Sequence, residues 1–269
     1  MGYRLIALDI DGTIRSVDHT LTDRTSRAMD MVREAGAIVT VATGRMFKSA
    51  VASTADLGLT SPIVSFQGAL VADPVTAEVL WHRPLTEQMA VLALDALDGW
   101  AGDIVSYHGD EVWVSKVTPW VEAYSERNDG GVRVVGDLRE VAADEPTRLV
   151  VVGDEGEIHR LTQRLSADFD ERLHVTRSLP QFCEILHPDG GKHRALAWLC
   201  GHLGIPEEDT VAFGNGYNDV EMLRWAGLGV AVGDAVPEAM EAADRVAPPM
   251  QEDGAAQVLE GLLDQGLIG

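Results

Sequence analysis

Short apolar runs alternate with amphipathic helical stretches along this chain, and that alternation limits its fold more than any other feature. "RLIAL" (4–8), "AIVTVA" (37–42), "PIVSF" (62–66), "TVAF" (210–213) and "LGVAV" (228–232) have the length and β-branched content of buried strands. Between the first two lies a helix with Thr22 and Asp23 at its start. Ala28, Met31, Val32 and Ala35 recur on it at i, i+3, i+4, i+7, and Gly36 ends it. Strand–helix alternation of this kind implies an α/β fold, a Rossmann-like, mostly parallel sheet with helices on both faces. Ligands of such sheets gather beyond the carboxyl ends of the strands. There the polar residues collect: Asp9 and Asp11 after the first run, Thr43, Gly44 and Arg45 after the second, and "GNGYND" (214–219) after the fourth.

The two aspartates are the chemically loaded pair. If the first strand runs that far, alternate side chains point to one face and Asp9 and Asp11 converge. Two like charges that close need a cation, a shared proton or solvent. Ordinary turn chemistry is the competing explanation, because Asp and Gly are common turn residues. A calcium loop fits poorly, since its glycine belongs at the sixth position and Gly12 comes fourth.

From about Arg83 to Cys183 the texture changes. A helix capped at Thr86 precedes short strands such as "DIVSYHG", "EVWVS" and "RLVVVG", then a helix from about Glu155 to Leu165, then "HVTRS". Hairpin-like alternation with polar turns suggests an inserted α+β module. Its Trp100, Tyr107, Trp113 and Trp120 could line a pocket mouth, although buried aromatics mostly serve packing. The expected organisation is a core of residues 1–82 and 184–269 with an insert at 83–183. Lys192 should open a helix just after the chain returns to the core.

Composition excludes several partners. With 21 Lys and Arg against 43 Asp and Glu, the net charge of −22 argues against nucleic acid and anionic membranes. A small phosphorylated metabolite remains compatible, because a local cationic pocket acts at contact distance, where salt screens little. Cys183 and Cys200 form neither a metal-type pair nor a CxxC, which points to a reducing compartment and a cytoplasmic protein. No signal-like N-terminal run is seen, and nothing approaches the roughly 20 apolar residues of a membrane span. His108, His187 and His193 lack metal-ligand spacing.

Four motifs, "DIDGT" (9–13), "TGR" (43–45), "GGKHRAL" (190–196) and "GNGYNDVEML" (214–223), stand in an order that resembles the haloacid dehalogenase superfamily. The likeness is closest to its Cof-type phosphatases, which carry an inserted α/β cap, and it spans the whole chain. It implies a Mg²⁺-dependent phosphatase acting on a small phosphate monoester, such as a sugar phosphate, as a monomer or homodimer. Under it, Asp9 is the nucleophile that becomes an aspartyl phosphate, and Asp11 is the acid and then base that moves protons. Thr43, Gly44, Lys192 and Asn218 hold phosphate, and Arg45 is a possible substrate contact. The metal falls to Asp9, the backbone carbonyl of Asp11 and the 214–219 loop with Asn215, while Asp219 orients the metal shell from behind. Two departures stand out. Gln67 replaces a customary asparagine before "GA", a longer amide able to make similar hydrogen bonds at a peripheral contact, and Asn215 replaces the aspartate that relatives use as a direct metal ligand. The second departure supports an alternative, a phospho-ligand-binding or regulatory protein with a degraded metal site. A dinucleotide oxidoreductase fails because "GNGYND" lacks the third glycine.

Overall fold

The computed structural model describes residues 2–16, 20–127 and 131–269. The chain divides into two compact units, residues 1–81 with 191–269, and residues 82–190. Among the described residues no helix is long and apolar enough to cross a membrane.

The first unit is built on a five-stranded parallel sheet. Its order from one edge is Arg245–Ala247, Leu228–Val232, Thr210–Gly214, Leu5–Leu8 and Ile38–Val41. Leu5–Leu8 is buried at every position, as expected for a strand covered on both faces. Its last residue, Leu8, pairs with Phe213 on one side and Val41 on the other. Three strands therefore end level with one another. That register delivers Asp9, Thr43 and Asn215 to one place, beyond the carboxyl edge.

The first helix, Asp23–Glu34, is capped by the Thr22 side chain, which accepts from the Thr25 amide. Its buried positions are Thr25, Ala28, Met29 and Val32. The i, i+3, i+4, i+7 spacing therefore holds, but it starts at Thr25, and Met31 and Ala35 lie on the exposed side. Thr25 lends its methyl to that face. The run at 62–66 also departs from expectation. Ile63–Ser65 joins an antiparallel three-stranded sheet with Leu70–Ala72 and Val79–His82, and touches the parallel sheet through the single bridge Ala42–Val64.

The second unit holds a six-stranded sheet ordered His174–Arg177, Phe182–Leu186, Arg148–Val152, Asp103–His108, Glu111–Val114 and Val132–Val134. Helices Glu87–Ala96 and Glu155–Phe169 pack on one face around Leu94, Leu149, Val151, Ile158, Leu165 and Ile185. The expected insert boundary after Cys183 is corrected here. Phe182–Leu186 pairs antiparallel with both Arg148–Val152 and His174–Arg177, so it belongs to this sheet and the chain leaves the unit at Gly190. On the same sheet Arg148 and Glu184 form a buried ion pair at 2.6 Å, with the Arg148 guanidinium 4.5 Å over the Tyr107 ring.

Candidate active site

The first strand stops at Leu8, and this changes the relation of the two aspartates. The Ile10 carbonyl accepts from the amides of Thr13, Ile14 and Arg15, which curls residues 10–15 into a tight turn anchored by the buried Ile10 and Ile14. Strand alternation no longer applies beyond Leu8. Asp9 is buried, whereas Asp11 is exposed and its carboxylate is held bidentately by Arg45 at 2.8 and 2.6 Å. Strand alternation therefore does not set the relation of the two carboxylates, and Asp11 pairs with Arg45 instead.

Asp9 meets a different partner. Lys192 opens the helix Lys192–Leu203, is buried, and places its Nζ 2.6 Å from Asp9 Oδ1 and 2.6 Å from Asp219 Oδ1. One ammonium thus bridges two buried carboxylates. Burial pushes the Asp9 carboxyl up to about 7; Lys192 pulls against that, and the Asp219 and Asp11 charges add to it. For Lys192 burial acts downward, but Asp219 and Asp9 outweigh it and its pKa ends above the ordinary lysine value.

The 214–219 loop closes the other side. Asp219 Oδ2 accepts from the amides of Asn215 and Gly216, both at 2.9 Å, while its other oxygen meets Lys192. Both of its oxygens therefore serve the protein, so Asp219 fixes the loop and the lysine. Asn215 Oδ1 lies 3.3 Å from Thr13 Oγ1, and the same hydroxyl is 3.3 Å from Asp9 Oδ2. Gly12, at φ +81°, makes this possible: a Cβ there would fall 2.2 Å from the Asn215 amide nitrogen.

Thr43 is buried, and its hydroxyl accepts from the Arg45 amide. Asn218 donates to Gln67 Oε1 at 2.9 Å, and a Cβ on Gly44 would strike the Gln67 amide at 2.3 Å. Gln67 is buried, adopts a left-handed φ of 57°, and its backbone N–H donates to the Thr43 carbonyl. It therefore couples Asn218 to the 43–45 turn, a more central place than a peripheral contact. Thr13 is the residue sequence reading missed. Its only signal was its place as last letter of "DIDGT".

Comparison with known proteins follows the same outline. The haloacid dehalogenase-like hydrolase family matches residues 6–259. The chain belongs to this family. This haloacid dehalogenase-like hydrolase is 30% identical to the 5-amino-6-(5-phospho-D-ribitylamino)uracil phosphatase YitU of Bacillus subtilis, over 95% of this chain and 96% of the relative. It is 31% identical to an HMP-PP phosphatase of an Enterobacter species, over 87% and 86% of the two chains. A crystal structure of a haloacid dehalogenase-like hydrolase from Bacteroides thetaiotaomicron superposes with a TM-score of 0.79 at 26% identity, covering 97% of this chain and 99% of that one. The protein is a phosphatase of this family.

Do the residues present fit a hard divalent cation? Among the described residues no group of three or more Asp, Glu, His or Cys side chains is arranged to hold a metal ion. The donors at hand are nevertheless hard oxygens: the Asp9 carboxylate and the Asn215 amide oxygen, both beside the same Thr13 hydroxyl. They fit Mg²⁺ in kind, with one formal negative charge among them.

Proposed function

We propose that the protein is a Mg²⁺-dependent phosphatase that hydrolyses a small phosphate monoester, a sugar phosphate or similar metabolite, through an aspartyl phosphate on Asp9. The observation that carries this reading is the buried Asp9 carboxylate just past the end of the strand Leu5–Leu8, fixed by Lys192. Attack by an immobilised carboxylate splits one difficult hydrolysis into two easier steps. Thr43, the Gly44 amide, Lys192 and Asn218 supply donors and positive charge to phosphate oxygens, where charge rearranges in the transition state. Asp11 donates a proton to the leaving oxygen and then removes one from the attacking water. Asp9, the Asp11 carbonyl and Asn215 would hold Mg²⁺, which when bound would supply charge neutralisation at the phosphoryl group. The 82–190 unit serves as a specificity cap. We read the protein as cytoplasmic, a monomer or homodimer, with no nucleic acid or membrane partner.

A phosphate-release screen over phosphorylated metabolites, with Mg²⁺ and with EDTA, tests the reading. Release that requires the metal supports it. No release from any compound under either condition would favour a phospho-ligand-binding protein instead.

Asn215 gives a sharper expectation. An amide oxygen binds a hard cation without formal charge, so Mg²⁺ affinity should be weak and should rise when a carboxylate is restored. Asn215→Asp is expected to tighten Mg²⁺ binding by roughly tenfold or more, about 1.4 kcal/mol. Titration calorimetry of Mg²⁺ into both forms measures this without any turnover, and superimposable isotherms would remove Asn215 from the metal site.

A further inference from the structure

Beside the Asp11–Arg45 pair lies a cavity of about 490 Å³ lined by Arg15, Arg45, Ser49, Ala52, Ser53, Ala55 and Asp56, all within the first unit. Nothing in the phosphatase reading uses Arg15, Ser49 or Ser53. The turn that carries Asp9 and Asp11 also delivers Arg15, since the Gly12 amide donates to the Arg15 carbonyl at 2.8 Å. Ser49 and Ser53, four residues apart on the helix Phe47–Ser53, occupy the same face; the Ser53 hydroxyl donates to the Ala50 carbonyl at 2.9 Å, and Ser49 adds a hydroxyl to the lining.

The burial of the two ion pairs is lopsided in the same sense. The Arg15 side chain is 7% exposed while its partner Asp56 is 57% exposed. Arg45 is 20% exposed while Asp11 is 51% exposed. In each pair the guanidinium is built into the wall and the carboxylate stands on the solvent side. A carboxylate so placed can leave for water at little cost, whereas a buried guanidinium cannot give up its counter-charge. An entering oxyanion would replace Asp56 and Asp11 by exchange, with charge-assisted hydrogen bonds from planar forks suited to phosphate and carboxylate. The volume lies in the range of small-ligand sites.

We propose that this cavity binds an anionic oxygen group, a phosphate or carboxylate, through Arg15 and Arg45 with Ser49 as a further donor. Occupancy draws Arg45 off Asp11 and leaves the Asp11 carboxylate available for proton transfer; this consequence rests on the role proposed for Asp11 above. The group is either a second anionic substituent of the substrate or a free anion acting as effector.

The test uses the full chain and three forms: wild type, Arg15→Gln and Asp56→Asn. Sulfate binding, followed by calorimetry and by the shift in unfolding temperature, needs no turnover and so stands whether or not the phosphatase reading holds. Arg15→Gln is expected to weaken the sulfate response of wild type at least tenfold, and Asp56→Asn, which removes a competing exposed carboxylate, to strengthen it about threefold. Equal responses in all three forms overturn the site, as does an adventitious ion only, whose response follows net charge and therefore changes by equally small factors in opposite directions in Arg15→Gln and Asp56→Asn. Two kinetic arms then separate the sources. A substrate-borne group predicts a kcat/KM ratio for fructose 1,6-bisphosphate over fructose 6-phosphate of tenfold or more, collapsing in Arg15→Gln. A free effector predicts that sulfate raises p-nitrophenyl phosphate turnover at low concentration in wild type and not in Arg15→Gln. Should Arg15→Gln fail to fold, the direction of the Asp56→Asn change decides alone: weaker or unchanged sulfate binding overturns the proposal.

Discussion

Asp9→Asn is expected to fold normally and to lose turnover by roughly 10³-fold or more, because the amide keeps the shape of the carboxylate but has no anionic oxygen with which to attack phosphorus. The neighbouring substitution separates nucleophilic from proton-transfer roles. Asp11→Asn removes the proton shuttle, together with the charge that Arg45 pairs with, and should cost roughly 10²- to 10⁴-fold, least with p-nitrophenyl phosphate, whose leaving group scarcely needs a proton. Phosphate release together with mass measurement of acid-quenched enzyme checks both. The phosphoryl adduct should be found in wild type and in Asp11→Asn and be absent from Asp9→Asn. Near-normal turnover in Asp9→Asn would place the nucleophile elsewhere.

The strand ends were legible because β-branched runs emptying into Asp, Gly and Asn can be read locally, and the level register of three strands then brought Asp9, Thr43 and Asn215 together. The reach of the first strand was not legible. It depends on the Ile10 carbonyl taking three amides, which turns Asp11 outward to Arg45. Gln67 and Thr13 were underrated for a related reason. Their importance lies in hydrogen bonds to Asn218 and Asn215, far away in the chain, and an amide or hydroxyl beside a turn gives no local sign of such a partner. The insert boundary slipped because Phe182–Leu186 looks the same whichever sheet it joins, and only its antiparallel partners decide.

Lys192 shows how much of such a site is long-range. Read alone, it is a lysine after two glycines and would pass for a solvated charge. In the fold it is buried and lies between Asp9, 183 positions away, and Asp219. Lys192→Met should therefore do two things at once. It removes positive charge from phosphate and nucleophile, lowering activity by roughly 10²-fold or more. It also leaves two buried carboxylates without their counter-ion, a change that typically costs about 3–5 kcal/mol of stability. The pH dependence follows from Asp9, whose carboxyl rises from 3.8 to about 7 on burial, with the Lys192 charge acting against the rise. Between those values the folded protein holds a proton that the unfolded chain has released. Metal-free stability should then fall as pH rises through that window and level off above it. In Lys192→Met the opposing pull is gone, so the decline should be steeper and extend to higher pH. Thermal unfolding of both forms in EDTA from pH 5 to 8.5 measures this. A wild-type unfolding temperature that rose with pH between 5 and 7, or a variant as stable as wild type at pH 8, would mean that the ammonium does not balance these two carboxylates.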